Sequence, residues 1–190
     1  MTGVMFGRVT LTAVLAMGAS LTAAAQGGTG EIAAGGGMAS YNGSGPGSTK
    51  GKFAASIGWN AADDFAFSFE YAYSPLAIST GAGVAGSANM KTFGGVGRVS
   101  LFGEHRARPY FLFTAGGAIY SASGSATSGS ATASTNEGGT FIGLGGGANI
   151  RLGGGFGVRP EVRYERMDIS NALNDVDITG SLYYTFGKRH

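Results

Sequence analysis

The sequence lacks cysteine altogether and contains only two histidines. Without cysteine the chain can form neither a disulfide framework nor a thiolate metal site or nucleophile. His105 and His190 are isolated from one another and make no metal site. Neither is placed beside a strand serine and a carboxylate, as a catalytic triad requires. These absences favour a protein with no cofactor, no bound metal and no enzymatic activity.

Charge is also scarce. Charged residues make up 13% of the chain, about half of the ~25% that is usual in soluble domains. The formal net charge of +2 is too small to indicate a nucleic-acid partner. After residue 25 no apolar run approaches the ~20 residues of a membrane-spanning helix. Glycine, by contrast, is abundant, with 37 residues.

The first 25 residues have the pattern of a secretory signal. Arg8 supplies a basic start, residues 9–21 form a short apolar run, and Ala23, Ala24 and Ala25 give a small-residue cleavage pattern. The run is too short to span a membrane, and the alternative is a buried N-terminal helix. The pattern predicts a signal peptide over 1–25 and one exported domain over 26–190.

The clearest structural signal is an alternation of aromatic with small or polar residues over 65–74. Because side chains on a strand alternate faces, this stretch predicts a strand with one aromatic face. The opposite face carries Glu70 and must meet water or polar partners, whereas the aromatic face must meet something apolar. The aromatic stripe consists of Phe65, Phe67, Phe69, Tyr71 and Tyr73.

Weaker alternation of the same period predicts seven more strands. The eight predicted strands cover residues 31–38, 53–60, 65–74, 93–101, 111–120, 142–152, 156–165 and 177–186. The longer connections, 43–50, 75–90, 121–138 and 168–175, alternate with short ones, so all four fall at one end of an up-and-down meander. The Ser- and Thr-rich segment 121–138 is predicted to be a solvated loop tip, with a binding surface as the alternative. None of the connections has helical periodicity, so we predict an antiparallel all-β sheet of eight strands that closes into a barrel.

Alternation alone does not say which face points inward. A soluble lipocalin-like barrel would have its apolar face inside, and a transmembrane barrel would have it outside. Glycine, alanine and serine crowd the polar face, as a narrow lumen requires, and the total charge is too low to cover a soluble barrel. Charges of both signs also lie close together on the polar face, where they could pair if enclosed. These observations favour a transmembrane barrel with the stripe facing lipid.

Six charged residues of the polar face are then predicted to form a salt-bridge network that plugs the lumen. Glu161 and Glu165 would be neutralised by it, and the alternative of an acid–base pair is disfavoured because arginines lie between and before them. The predicted network comprises Glu70, Arg98, Arg159, Glu161, Arg163 and Glu165. Aromatic residues near the strand ends are candidates for interfacial girdles. These are Trp59, Tyr71, Tyr73, Tyr110, Tyr164 and Tyr184.

Three stretches resemble a known family, the small eight-stranded outer-membrane β-barrels of Gram-negative bacteria, which includes the OmpA transmembrane domain, OmpX and the opacity-type proteins. The stretches are residues 52–59, 108–110 and 182–186. The resemblance implies a cell outer-membrane location, contact with outer-membrane lipid, and recognition of the terminal strand by the outer-membrane assembly machinery. It places that recognition signal at Leu182, Tyr184 and Phe186, on the face opposite Asp177.

The expected function is therefore that of a monomeric integral outer-membrane barrel with a structural or surface role and a plugged, non-conducting lumen. The alternative is an adhesin or recognition protein that acts through its four extracellular loops. A binder should carry aromatic or charged loop tips, whereas these loops are mostly Gly, Ser, Ala and Thr. The sequence names no extracellular ligand.

We predict cleavage after Ala25, because the small-residue pattern ends there. The intact mass of protein extracted from membranes should correspond to a chain that begins at Gln26. A mass that includes Met1 would contradict export through a cleaved signal.

Overall fold

The chain folds into a single sheet of eight β-strands that closes on itself. The computed structural model describes residues 28–42, 49–77, 84–101, 106–126, 132–169 and 172–187. The strands are β1 (Thr29–Asn42), β2 (Thr49–Asn60), β3 (Phe65–Ala77), β4 (Val84–Ser100), β5 (Ala107–Ala126), β6 (Thr132–Gly153), β7 (Phe156–Asp168) and β8 (Leu173–Phe186). Each strand is antiparallel to its neighbours in chain order, and this confirms the predicted up-and-down barrel.

The barrel is closed by a ladder between β1 and β8. Its register runs from Gly30 opposite Phe186 to Asn42 opposite Asn174. A strand without a partner would leave a row of unpaired backbone groups, and closure removes that edge. The predicted signal peptide and the tail 188–190 lie outside the described residues.

Short connections mark one end of the barrel, which we call the turn end. The β6–β7 connection there uses Gly153, Gly154 and Gly155, each at positive φ. Residues with a side chain rarely adopt this conformation, so the glycines allow the chain to reverse within a few residues. β1 begins and β8 ends at the turn end, and the opposite end is called the loop end below.

Three predicted loops are shorter than expected because the strands beside them are longer, and the longest of them is 121–138. β5 continues to Ala126 and β6 begins at Thr132, so most of the predicted loop 121–138 is paired strand. The Ser121 hydroxyl also donates to Asn136 Oδ1 across the two strands (3.1 Å). Backbone pairing extends this polar hairpin although it buries little apolar surface, and the prediction of a loop over the whole segment was wrong.

The same error affects the predicted loops 75–90 and 168–175. Pro75 does not end β3, which continues to Ala77, and β4 already begins at Val84. The β2–β3 ladder ends at Phe53 opposite Tyr73. Pro75 therefore lies where β3 has a neighbour on one side only, a position that tolerates a residue without an amide proton. β8 likewise begins at Leu173, so that Asp175 is a strand residue.

The polarity of the barrel wall is seen most clearly on β7. Its burial alternates strictly from Gly157 to Asp168, with charged residues inside and residues such as Val162 and Tyr164 exposed outside. The described part of the chain contains no helix with the length and apolar character to cross a membrane. The strands thus enclose a polar interior within an apolar outer face.

Candidate functional site

The interior of the barrel is filled by charged side chains that contact one another, and we call this set the charged network. All six residues predicted for the lumen point inward, from β3, β4 and β7. Glu31 of β1, Lys52 of β2, and Asp175 and Asp177 of β8 join them through further ion pairs. The network therefore draws on six of the eight strands.

Near the turn end, two arginines share one carboxylate. Arg159 Nη2 donates to Glu31 Oε1 at 2.7 Å, and Arg98 Nη1 lies 3.9 Å from the same oxygen. Arg98 Nη1 also donates to the Ser68 hydroxyl at 2.9 Å. The Arg159 guanidinium lies over the Tyr183 ring, 4.7 Å from its centroid. Each arginine of this layer is therefore held by a hydrogen bond to another buried side chain, Arg159 by Glu31 and Arg98 by Ser68.

Arg163 is the centre of the network. Its Nη1 and Nη2 donate to the two carboxylate oxygens of Glu70 at 2.6 and 2.8 Å, a bidentate pair between β7 and β3. Its Nε donates to Glu161, and its Nη1 lies 3.7 Å from Glu165 Oε1. The single guanidinium therefore contacts Glu161 and Glu165 of its own strand and Glu70 on the opposite side of the lumen.

The carboxylates of Glu161 and Glu165 are both engaged by other groups. Tyr110 donates its hydroxyl proton to Glu161 Oε2 (2.5 Å), and Arg163 contacts the other oxygen. Glu165 Oε2 accepts from Lys52 Nζ at 3.1 Å. Such occupied and enclosed carboxylates are arranged for charge pairing rather than for proton transfer to a substrate.

Above the charged network, toward the loop end, the lumen is filled by an apolar cluster. Met90 and Met167 are almost completely buried in it, and Tyr41 and Phe141 pack beside them. On β1, Tyr41 lies opposite Asp175, so the cluster directly follows the last carboxylates. Along the barrel axis the interior thus holds paired charges first and packed apolar side chains beyond them.

At the turn end the lumen widens into a cavity of about 490 Å³. Glu31, Asn149, Arg151 and Tyr183 line it. Glu31 and Tyr183 also contact Arg159, so the cavity ends where the charged network begins. It is a recess at the turn end of the barrel, bounded on its inner side by the charged network.

The aromatic stripe of β3 lies on the outer face. Phe65, Phe69 and Tyr71 are exposed, and Phe67 and Tyr73 are half-buried by neighbouring side chains. Of the girdle candidates outside the stripe, Trp59, Tyr164 and Tyr184 share that outward orientation in the alternation of their strands. Tyr110 does not: it is buried and bonded to Glu161, so its prediction as a girdle residue was wrong.

Tyr110 lies in a part of β5, residues 110–113, that is apolar on both faces. Leu112 is buried next to it, and the two pack with Val96 of β4 inside the barrel. Phe111 and Phe113 occupy the outer face of the same strand. A continuous apolar run gives no alternation to read, and only the pairing of Tyr110 with the neighbouring strands orients it.

The three residues predicted for the assembly signal are exposed on the outer face of β8. Tyr184 packs against Phe156 with ring centroids 4.7 Å apart, and its distance to the Phe186 centroid is 6.4 Å. The Phe186 ring covers Gly30 on the adjacent β1, where an added Cβ would collide with it. Together they form an aromatic group at the turn end, beside the seam between the first and last strands.

Three solved structures of outer-membrane proteins share this fold. Neisserial surface protein A has a TM-score of 0.66 at 13% identity, with 83% of this chain and 97% of that chain covered. The attachment invasion locus protein Ail of Yersinia pestis has a TM-score of 0.60 at 11% identity, with 84% and 100% covered. A major outer membrane protein from Thermus thermophilus has a TM-score of 0.60 at 9% identity, with 83% and 99% covered.

No protein-family model and no curated protein sequence matches the chain. At these sequence identities the structural likeness establishes the fold alone. That fold is the one of the small eight-stranded outer-membrane β-barrels, as the sequence resemblance implied.

We predict that Arg163→Ala destabilises the folded barrel by about 3–5 kcal/mol, because it leaves buried carboxylates without their shared cation. Arg166→Ala is the matched control, since Arg166 lies three residues along β7 on the exposed face. Denaturant unfolding of both variants measures the difference. Equal, small effects would mean that water already solvates the lumen carboxylates.

Proposed function

We propose that the protein is a monomeric integral protein of the cell outer membrane, with a structural or surface role and a plugged, non-conducting lumen. The observation that carries this proposal is the inverted polarity of the barrel. Arg163, Glu165 and Asp177 are buried inside, whereas Phe111, Leu144 and Leu182 are more than 60% exposed outside. A water-soluble barrel would have the reverse arrangement.

Hydrocarbon is the environment that suits this outer face. Exposed large apolar residues occur on all eight strands, from Ile32 on β1 to Phe186 on β8. Backbone groups in lipid must all be bonded within the protein, and a closed barrel satisfies this without a helix. Outer-membrane lipid is therefore the first partner that we assign, and the alternative of a soluble barrel with an apolar interior is not supported.

Two features of the interior support a plugged lumen, namely the charged network and the apolar cluster on its loop-end side. Eight strands leave an interior only wide enough for side chains. Arg163 and Glu70 cross that interior, and Met90, Phe141 and Met167 fill it farther toward the loop end. An ion crossing the barrel would have to separate the paired charges and also disperse the apolar cluster.

Planar-bilayer recordings with the purified protein test this function. We expect no sustained porin-like conductance from the wild type, and recovery of the protein in the outer-membrane fraction of cells. Large, stable channels would contradict the plug while leaving the membrane location intact. Recovery in the soluble fraction would contradict the membrane assignment itself.

We also propose that Leu182, Tyr184 and Phe186 of β8 present the signal that the outer-membrane assembly machinery recognises. Support comes from their exposure on the outer face, where another protein could contact them before lipid does. Their strand also forms the ladder with β1 that closes the ring.

Phe186→Asp should lower the amount of folded protein in cells while the same variant still refolds in detergent. A charge near the interface has a direct cost of only about 0–1 kcal/mol in lipid, so the cellular loss would report recognition. Phe156→Asp is the control, because Phe156 is an exposed aromatic at the same end but outside the terminal strand. Normal cellular levels of Phe186→Asp would refute the assignment.

A second candidate function is surface recognition through the loop end. Ail, described as an attachment invasion locus protein, shares the fold. In the present chain, β6 residues before Thr140 pair with β5 but have no partner on β7, so the β5–β6 hairpin projects beyond the barrel. A variant shortened within 121–138 should then fold normally and lose attachment to its target surface.

The hairpin's composition limits what such a target could be. An Ail structure contains the heparin analogue sucrose octasulfate, but residues 121–138 include no lysine or arginine. A sulfated polysaccharide would find no cation on this projection. We do not propose an enzyme, although His105 and His190 lie outside the described residues and the expected lack of a triad stays a prediction.

A further inference from the structure

Three carboxylates meet at the upper end of the charged network, and we call them the acid cluster. Glu165, Asp175 and Asp177 each offer an oxygen that lies within 4.8 Å of the other two. All three side chains are buried. Lys52 supplies a cation nearby, with its Nζ paired to Asp177, 3.1 Å from Glu165 Oε2 and 4.0 Å from Asp175 Oδ2.

Asp175 is the member of the cluster that the protein does not satisfy. Its side chain is fully enclosed, yet neither of its carboxylate oxygens has a hydrogen-bond partner. Oδ1 of Asp177 has none either. An ionised carboxylate removed from water is strongly disfavoured unless other groups compensate its charge. The Lys52 ammonium at 4.0 Å is too distant to donate a hydrogen bond to Asp175.

The formal charges inside the barrel also leave the acid cluster with too little positive charge. Below the acid cluster, Arg98, Arg159 and Arg163 form ion pairs with Glu31, Glu70 and Glu161, and this group is neutral. Within the acid cluster three carboxylates face the single ammonium of Lys52. Arg163 reaches Glu165 at 3.7 Å, but it is already shared by Glu70 and Glu161. The uncompensated charge of the charged network, minus two, therefore lies at Asp175 and its neighbours.

We propose that the acid cluster binds one divalent cation of the hard, oxygen-preferring class, with Ca²⁺ as the best match. Glu165, Asp175 and Asp177 supply carboxylate oxygens and no nitrogen or sulfur ligand, which is the donor set of Ca²⁺ or Mg²⁺ sites. A charge of plus two makes the charged network neutral. Ca²⁺ tolerates irregular ligand geometry and carries fewer obligatory waters, so it suits an enclosed site better than Mg²⁺ does.

Binding requires that Lys52 withdraw from Asp177 so that the carboxylate can turn to the ion. Lys52 and Asp177 line a small cavity of about 30 Å³ that neither Glu165 nor Asp175 reaches. The free space therefore lies on the arginine side of the acid cluster, where the displaced ammonium can move. On the loop-end side, Tyr41 and Met167 of the apolar cluster cover the carboxylates. A bound ion would consequently be held between dry packing on one side and the neutral arginine layer on the other.

The competing explanation is that protons, rather than a metal ion, neutralise Asp175 and Asp177. A proton shared between two adjacent carboxylates would also remove the charge, and it would make the barrel indifferent to Ca²⁺. The two explanations therefore differ in a measurable response to the ion.

The test uses full-length protein refolded into detergent micelles that contain no anionic lipid. Unfolding midpoints are measured in EDTA and at increasing Ca²⁺ for the wild type, Asp175→Asn, Asp177→Asn and the control Asp168→Asn. Asp168 is an exposed carboxylate at the end of β7 and should not contribute to the site. Equilibrium dialysis with Ca²⁺ gives the number of ions bound per wild-type chain.

We expect one bound Ca²⁺ per chain and a saturable rise of the wild-type midpoint, with a smaller rise for Mg²⁺. Asp168→Asn should keep the full response, and Asp175→Asn and Asp177→Asn should lose it. A wild type that binds no Ca²⁺ and has the same midpoint in EDTA overturns the proposal and favours the shared proton. An undiminished response in Asp175→Asn also overturns it, because the ion would then bind elsewhere. Should either variant fail to refold, the two wild-type measurements still decide the question.

Discussion

Closure of the backbone ladder between the first and last strands is the constraint on which the other features depend. β1 and β8 are the farthest apart in the sequence, and they bring no loop connection to help them meet. Their pairing leaves little space for side chains inside, because Gly35 and Gly37 of β1 lie against the β8 backbone, where an added Cβ would collide. The small residues of the seam therefore permit the approach that completes the ring.

A closed ring of eight strands encloses a lumen too narrow for bulk water, so the charges inside must satisfy one another. Arg163 does this for carboxylates on three levels, and the fork to Glu70 ties β7 to β3 across the barrel. Removing either partner of such a pair is more damaging than the pair itself is stabilising, since the remaining charge stays enclosed. The charged network thus links strands on opposite sides of the barrel, and the loss of one member leaves its partners without a counter-charge.

The two faces of each strand consequently differ in how well they tolerate substitution. On the outer face an exposed residue such as Leu144 needs only an apolar surrounding, and many substitutions would serve. On the inner face, Glu161 has both oxygens committed to Tyr110 and Arg163. The proposed function divides in the same way, with membrane residence assigned to the outer face and the lack of conductance to the inner one.

The sequence by itself determined the number of strands, their antiparallel order and the inward direction of the six predicted lumen charges. These follow from period-two alternation and turn composition, which are local properties, as in 65–74 and 156–165. Tertiary structure decided the rest. Pro75, residues 121–126 and residues 132–138 are strand because a neighbouring chain segment pairs with them.

Tyr110 lies in a stretch, 110–113, that is apolar on both faces, and the pairing of β5 with β4 and β6 decides that it faces inward. The partners of Lys52 lie on strands more than 100 residues away along the chain. Alternation assigns a side chain to a face but carries no information about which residue will lie opposite it. That information exists only once the ring has closed and fixed the register of all eight strands.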